Sequence, residues 1–255
     1  MNVADGDTVL VSGYWNRETV FIDPDDPDVV SPSWGNKAAA LRFKGDLSIG
    51  RAELGAAFGE FETRLPIGGE IPLTADGVTR RSLLTADLSE GWGRGSVGYG
   101  IHLDRLEQRT RFTGTGDAAD DPFELRQRAD ANALSAYLEG SWPVTKFIHV
   151  SAGLRATTFS DDLGQGLSPR IRADVLAMPE LLVSLSAGRY RQLMVTSGGR
   201  RLAVPAATAD EPEDEPNLPS FTNIAAAISD HFLLAVTHSP RPGSELRVEG
   251  YWKNM

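Results

Sequence analysis

The chain has 255 residues, is 41% hydrophobic, and carries a net charge of −10 with a pI near 4.9. That acidic balance argues against a nucleic-acid partner, which needs a basic face, and the apolar content excludes a wholly disordered chain. There is no cysteine, hence no disulfide frame and no thiolate metal site, and no apolar run reaches the roughly 18 residues of a transmembrane helix.

In chain order, Thr8 to Trp15 reads as a short strand and 16–36 as a long loop rich in Asp and Pro. From Lys37 to Ser48, Ala39, Leu41, Phe43 and Leu47 alternate with Arg42, Lys44 and Asp46. A period of two is the mark of a strand with one apolar face. After a tight turn at Ser48 to Arg51, Ala52, Leu54, Ala56 and Phe58 continue the pattern, and 64–80, with Pro66, Gly68, Gly69, Pro72 and Gly77, reads as a loop. Leu84, Ala86 and Leu88 mark the next strand. Glu90 to Gly95 turns the chain, and Val97, Tyr99, Ile101 and Leu103 alternate with Gly98, Gly100, His102 and Asp104. A polar loop follows at 113–128. Leu134, Ala136, Leu138 and Trp142, a turn at Pro143 to Lys146, then Ile148, Val150, Ala152 and Leu154 make a further hairpin, closed by a loop at 160–166.

The clearest hairpin is Leu167 to Gln192. Ile171, Ala173, Val175 and Ala177 alternate with Arg170, Arg172 and Asp174, Pro179 interrupts, and Val183, Leu185 and Ala187 resume the alternation. The longest loop, 193–223, holds the acidic run Asp210 to Pro216. Phe232, Leu234 and Val236, the turn Pro240 to Gly243, and Leu246, Val248 and Trp252 complete the chain.

The expected fold is therefore all-β: a single domain, 1–255, of about 10–12 antiparallel strands with no helix. Its connections alternate short and long. An up-and-down barrel in an outer membrane sorts its loops this way, with short turns at one rim and long loops at the other, whereas a soluble sandwich has no reason to. Trp92, Trp142 and Phe147 lie beside short turns, where an aromatic rim belt is expected. Charges on the polar face, among them Arg42, Lys44, Asp46, Arg155, Arg170, Arg172 and Asp174, would line the lumen.

Other motifs carry less. Gly93 to Gly98 matches G-x-G-x-x-G but leads into a strand, so a Gly-rich turn is expected and not a dinucleotide site. Asp23, Asp25, Asp26 and Asp28 cluster without the Gly and Glu of a calcium-binding loop. The histidines His102, His149, His231 and His238 are scattered, with no H-E-x-x-H spacing and no G-x-S-x-G. No cofactor and no catalysis are expected.

Two pieces of the chain resemble the later barrel strands of TonB-dependent outer-membrane receptors. One runs from Leu167-Ser168-Pro169-Arg170 to Leu185-Ser186-Ala187-Gly188-Arg189-Tyr190-Arg191-Gln192. The other is His231-Phe232-Leu233-Leu234-Ala235-Val236 followed by Leu246-Arg247-Val248-Glu249-Gly250-Tyr251-Trp252-Lys253. The likeness covers about the last third of the chain. It implies an outer-membrane location and uptake of a scarce nutrient such as a siderophore, vitamin or glycan. It further implies outer-membrane lipid, a plug domain, further barrel strands and an energy-coupling TonB complex as partners, and no nucleic acid. The family's plug, signal peptide, remaining strands and C-terminal aromatic residue have no counterpart in this sequence, which therefore reads as a portion of a receptor. Ligand contacts are expected from Arg80 at the end of loop 64–80 with Arg81 beside it, and from Arg200 and Arg201 in loop 193–223, whose guanidinium groups suit anionic groups. The alternatives are a soluble secreted β-sandwich that binds carbohydrate and a small passive outer-membrane pore.

Overall fold

A computed structural model describes residues 7–22, 31–67, 73–115, 122–160, 163–198, 220–241 and 243–254. Eleven strands account for nearly all of them: β1 Thr8–Thr19, β2 Ser33–Leu47, β3 Gly50–Ile67, β4 Leu73–Trp92, β5 Gly95–Thr115, β6 Pro122–Pro143, β7 Ile148–Phe159, β8 Gln165–Met178, β9 Leu181–Gly198, β10 Ser220–Arg241 and β11 Ser244–Asn254. They form one antiparallel sheet in strict sequence order, β1 to β11. This is the expected up-and-down meander. It is one sheet and not two packed ones, so a sandwich does not describe it. The sheet is open among the described residues: β1 pairs only with β2 and β11 only with β10.

The strand ends joined by short connections, those after β2, β4, β6, β8 and β10, all lie at one end of the sheet, and the strand ends joined by longer connections lie at the other. Gly93 shows why the G-x-G-x-x-G segment is a turn. Its φ of 62° is a left-handed value that favours glycine, and Gly95 beyond it opens β5. At the same rim Trp92 and Trp142 meet edge to face, ring centroids 6.4 Å apart.

The strands run further than the alternation of apolar residues suggests. β3 and β4 stay paired from Arg51↔Ser89 out to Ile67↔Leu73, and β5 and β6 from Ser96↔Ser141 to Thr115↔Pro122. Segments 64–80 and 113–128, read from sequence as loops, are thus largely strand. The reason is a reversal of polarity along each long strand. Near the short turns, one face carries Leu54 and Phe58 of β3, Leu84 of β4, Ile101 and Leu103 of β5, and Leu134 and Leu138 of β6, all largely exposed. Further along, the same face of β5 carries Arg105, Glu107, Arg109 and Arg111, and that of β6 carries Asp130, Arg128, Arg126 and Glu124. The opposite face changes the other way. It bears His102, Asp104, Ser135 and Tyr137 near the turns, then buried Leu106, Phe112, Ala131 and Ala133 beyond. In β5 and β6 the part near the short turns carries an exposed apolar outer row, and the part beyond packs an apolar inner row into a core.

The sheet curls so that β10 comes up against β5 and β6. β9 leaves β8 after Arg170↔Gly188 but stays paired with β10 out to Ser220↔Gly198. Two strands released from a sheet twist more strongly than its interior. The register gives Leu193 the parity of the outward Ala187, yet Leu193 packs with Leu106, Ala131, Ala133 and Phe159, joined by Ile224 and Ala226. The β9–β10 ribbon has turned over, and its outward face covers the inner face of β5 to β7.

The charged second half is laced with ion pairs. Arg111 Nε and Arg126 Nε lie 2.5 and 2.6 Å from Glu124 Oε1. The Arg126 hydrogen bond, and then the Arg111 charge, hold the Glu124 carboxyl below its ordinary value. Because the folded value is the lower one, the pairs favour folding above the ordinary carboxylate range, and that contribution is lost as the pH falls through the folded value. The carboxyl is exposed, so the effect on stability is small.

Two expectations follow from this division. Leu103→Lys puts a charge on the apolar band and is expected to cost about 2–4 kcal/mol in a bilayer, while Leu106→Ala, three residues on, opens the inner cluster at about 2–5 kcal/mol in any medium. Unfolding midpoints in lipid and in detergent measure both, and a Leu103→Lys protein as stable as the parent in lipid contradicts the outward assignment. In an NMR titration, Glu124 is expected to ionise below the ordinary carboxylate range and to return towards it in Arg126→Gln.

Candidate functional site

The inner face near the middle of β4 to β8 concentrates the polar chemistry. Register alone assembles it. Asp87 of β4 stands opposite Gly100 of β5, which stands opposite Tyr137 of β6, which faces Arg155 of β7. One row away, Thr85 faces His102 and His102 faces Ser135. Gly100 matters here. A β-carbon at that position would lie 2.4 Å from Asp87 Oδ1 and 2.7 Å from the Tyr137 ring, so its absence lets the two side chains meet across the strand between them.

Asp87 is the hub. Its Oδ1 accepts from the Tyr137 hydroxyl at 2.7 Å and lies 2.8 Å from His102 Nε2. Arg155 Nη2 is 3.1 Å from His102 Nδ1. An arginine can only donate, so Nδ1 accepts, the proton sits on Nε2, and Nε2–H donates to Asp87. The imidazole is a neutral bridge between a carboxylate and a guanidinium, and the His102 and Tyr137 rings pack edge to face at 5.4 Å. Further round the inner face, Arg170 lies over the Tyr190 ring at 4.6 Å. Tyr190 stacks on His231 at 4.5 Å, and the Tyr251 hydroxyl reaches His231 Nδ1 at 3.2 Å. The surface offers cations, hydroxyls and aromatic faces. Among the described residues no group of three or more His, Asp or Glu is placed to hold a metal ion.

The residues singled out from sequence fall as follows. Arg80 and Arg81 are neighbours in β4 and face opposite ways. Arg80 points outward, its Nε 2.6 Å from Glu60 Oε2, and Lys37 Nζ reaches the other oxygen of Glu60 at 2.7 Å. Arg81 points inward and grips Asp104 with two hydrogen bonds, Nε to Oδ1 at 2.9 Å and Nη2 to Oδ2 at 2.6 Å. The structure thus sends the two side chains to opposite faces of β4. Arg200 and Arg201, the acidic run 210–216 and Asp23, Asp25, Asp26 and Asp28 lie outside the described residues. Arg155, Arg170, Arg172 and Asp174 take the inner face as expected, with Arg172 Nε 2.9 Å from Asp174 Oδ2. Sequence reasoning missed Asp87, Tyr137, Ser168 and Arg191 as site residues. Parity would have put Asp87 and Tyr137 on the inner face, but only the register brings them together.

No protein-family profile matches the chain, and no curated protein matches it. Solved structures do. The ferric yersiniabactin uptake receptor FyuA from Yersinia pestis aligns over 97% of this chain and 42% of its own, with a TM-score of 0.67 and 12% identity. The siderophore receptor PirA from Acinetobacter baumannii aligns over 99% and 41%, with a TM-score of 0.61 and 14% identity. The copper transporter OprC aligns over 97% and 44%, with a TM-score of 0.59 and 11% identity. The chain spans about two fifths of the length of these proteins. At such identities the likeness establishes the fold: a run of barrel strands of the kind found in receptors for siderophores and copper.

The Asp87 hub gives the site a measurable signature. Tyr137→Phe removes one hydrogen bond to a partly buried carboxylate while His102 keeps the other. The expected cost is about 1.5–3 kcal/mol, the range for a hydrogen bond to a charged group. The heat-unfolding midpoint reads it, and an unchanged midpoint contradicts the assignment of Asp87 as an ionised hub.

Proposed function

We propose that this chain is part of the barrel wall of an outer-membrane receptor of the TonB-dependent kind, which takes up a scarce nutrient such as a siderophore, vitamin or glycan. The observation that carries the reading is the outward apolar band, Leu54, Leu84, Ile101, Leu134 and Leu154, on a single up-and-down sheet whose inner face is polar at the same level. An exposed band of large aliphatic side chains around a polar interior is what a bilayer demands of a barrel. The structures it resembles are described as uptake receptors and a transporter, which supports a transport role.

On this reading the outer face meets outer-membrane lipid, and the inner face meets the ligand and a plug. The two open edges, β1 and β11, pair with further barrel strands. The energy for uptake comes from the TonB complex, and the wall itself catalyses no reaction. The edges carry a physical demand. In hydrocarbon each unpaired backbone N–H or C=O costs several kcal/mol, so a sheet with two free edges needs neighbours on both. Of the four arginines expected to contact ligand, Arg81 alone among those described faces the interior. Arg80 sits on the outer face above the apolar band, at the level of lipid head groups.

Membrane fractionation of the native host tests the proposal. The protein is expected in the outer-membrane fraction and to resist alkaline carbonate; recovery as a soluble protein overturns it. The isolated 255-residue chain is expected to stay protease-sensitive in lipid vesicles because its edges are open. A protease-resistant monomeric barrel formed by this chain alone contradicts its place in a larger wall.

A further inference from the structure

The inner face holds two kinds of arginine. Arg81 has Asp104 and Arg172 has Asp174. Among the described residues Arg155, Arg170 and Arg191 have no carboxylate within ion-pair distance: Arg155 contacts His102, Arg170 the face of Tyr190, and Arg191 the Gln165 carbonyl, at 3.5 Å. All three line one cavity of about 220 Å³, bounded by β4 to β8 on one side and by the turned-over start of the β9–β10 ribbon on the other. The cavity wall also holds polar atoms that are buried and make no hydrogen bond: Ser168 Oγ, on a side chain only 1% exposed, Arg170 Nε and Arg191 Nε.

Buried polar atoms in folded proteins are nearly always satisfied, and each one left without a partner costs about 1–3 kcal/mol. Three uncompensated guanidinium groups around one space also repel each other. Both costs vanish together if the cavity holds an anion with several acceptor oxygens. Guanidinium forks match the oxygens of phosphate and carboxylate groups in geometry as well as charge. Ser135 and Thr157, whose hydroxyls bond each other at 3.0 Å, leave one hydroxyl hydrogen as a further donor on the same wall. The site is framed on purpose at one point: Gly166 has no side chain, and a β-carbon there would lie 2.0 Å from the Arg191 guanidinium carbon. Any larger residue would push Arg191 out of its place beside β8.

We propose that this cavity is a binding site for a compact oxyanion, a phosphate or carboxylate group gripped by Arg155, Arg170 and Arg191 with Ser168 as an added hydroxyl donor. Of the carboxylates near it, Asp104 is held by Arg81 and Asp87 by Tyr137 and His102. Glu139 shares a cross-strand row with Arg170, across Gly153, but makes no ion pair with it and does not line the cavity. The inference rests on this cavity and not on the transport reading.

The test uses the protein purified from whichever cell fraction holds it, in detergent if that is a membrane. Binding of inorganic phosphate and of acetate is measured by calorimetry and by the shift of the heat-unfolding midpoint, at constant ionic strength. Saturable binding of either, raising the midpoint, supports the site, and the tighter of the two identifies the head group it takes. Arg170→Gln and Arg191→Gln are each expected to weaken that binding at least tenfold. Arg94→Gln, at the distant β4–β5 turn, is expected to leave it unchanged. Without anion, the two inner variants are expected to unfold no earlier than the parent, because each relieves repulsion; a purely structural arginine would destabilise on removal. Gly166→Val, which displaces Arg191 without altering any charge, is expected to weaken binding as well. A parent protein that binds neither anion saturably, or a double Arg170→Gln, Arg191→Gln protein that binds as the parent does, overturns the proposal.

Discussion

Everything in this molecule depends on the backbone ladder between sequence neighbours. Pairing runs without a register shift through β2 to β6, so inward and outward positions are locked by parity alone from one end of each strand to the other. A slip of one residue would turn every side chain to the wrong face. That constraint makes the polarity reversal along the strands informative. No bulge re-aims the side chains between Leu103 and Arg105; the geometry continues and only the chemistry changes. A single ladder therefore carries two arrangements in succession, an apolar outer row over a polar inner one, then a charged outer row over an apolar inner one.

Charge is organised on the same principle. On the outer face beyond the apolar band, cations and carboxylates alternate and nearly every group finds a partner, as Glu60 does with Lys37 and Arg80. Such exposed pairs contribute little stability each; they keep a long strand hydrated and its register unambiguous. The inner face is different. Asp87, His102, Tyr137 and Arg155 form a chain in which each member orients the next, and beyond it Arg170 and Arg191 have no carboxylate partner among the described residues while Arg172 keeps Asp174.

Much of the architecture was legible in the sequence because alternation is a direct imprint of parity. The hairpin turns at Gly93 and Pro179, the apolar rows and the sequential order could all be read. Strand ends could not. Segment 113–128 shows no apolar alternation and so reads as a polar loop, yet Thr113 to Thr115 pair with Pro122 to Glu124 as strand. Arg80 ends the Pro- and Gly-rich segment 64–80 and so reads as loop, whereas in β4 it and Arg81 face opposite ways by strand parity. The site was harder still. His102 and Asp87 are distant in sequence and meet only because β4 and β5 pair at Asp87↔Gly100. The ribbon's reversal at β9, which carries Leu193 inward, depends on where β8 stops supporting it.

The sequential meander has one more consequence. Each hairpin along the chain makes its backbone bonds only with the hairpins before and after it, and its turn closes on itself at the short-turn rim. Such a wall can be widened or narrowed by whole hairpins, inserted or deleted at the rim, without rewiring any other connection. Its circumference is a modular quantity, and the unit of change is a pair of strands with a two-residue turn, such as the one at Gly93.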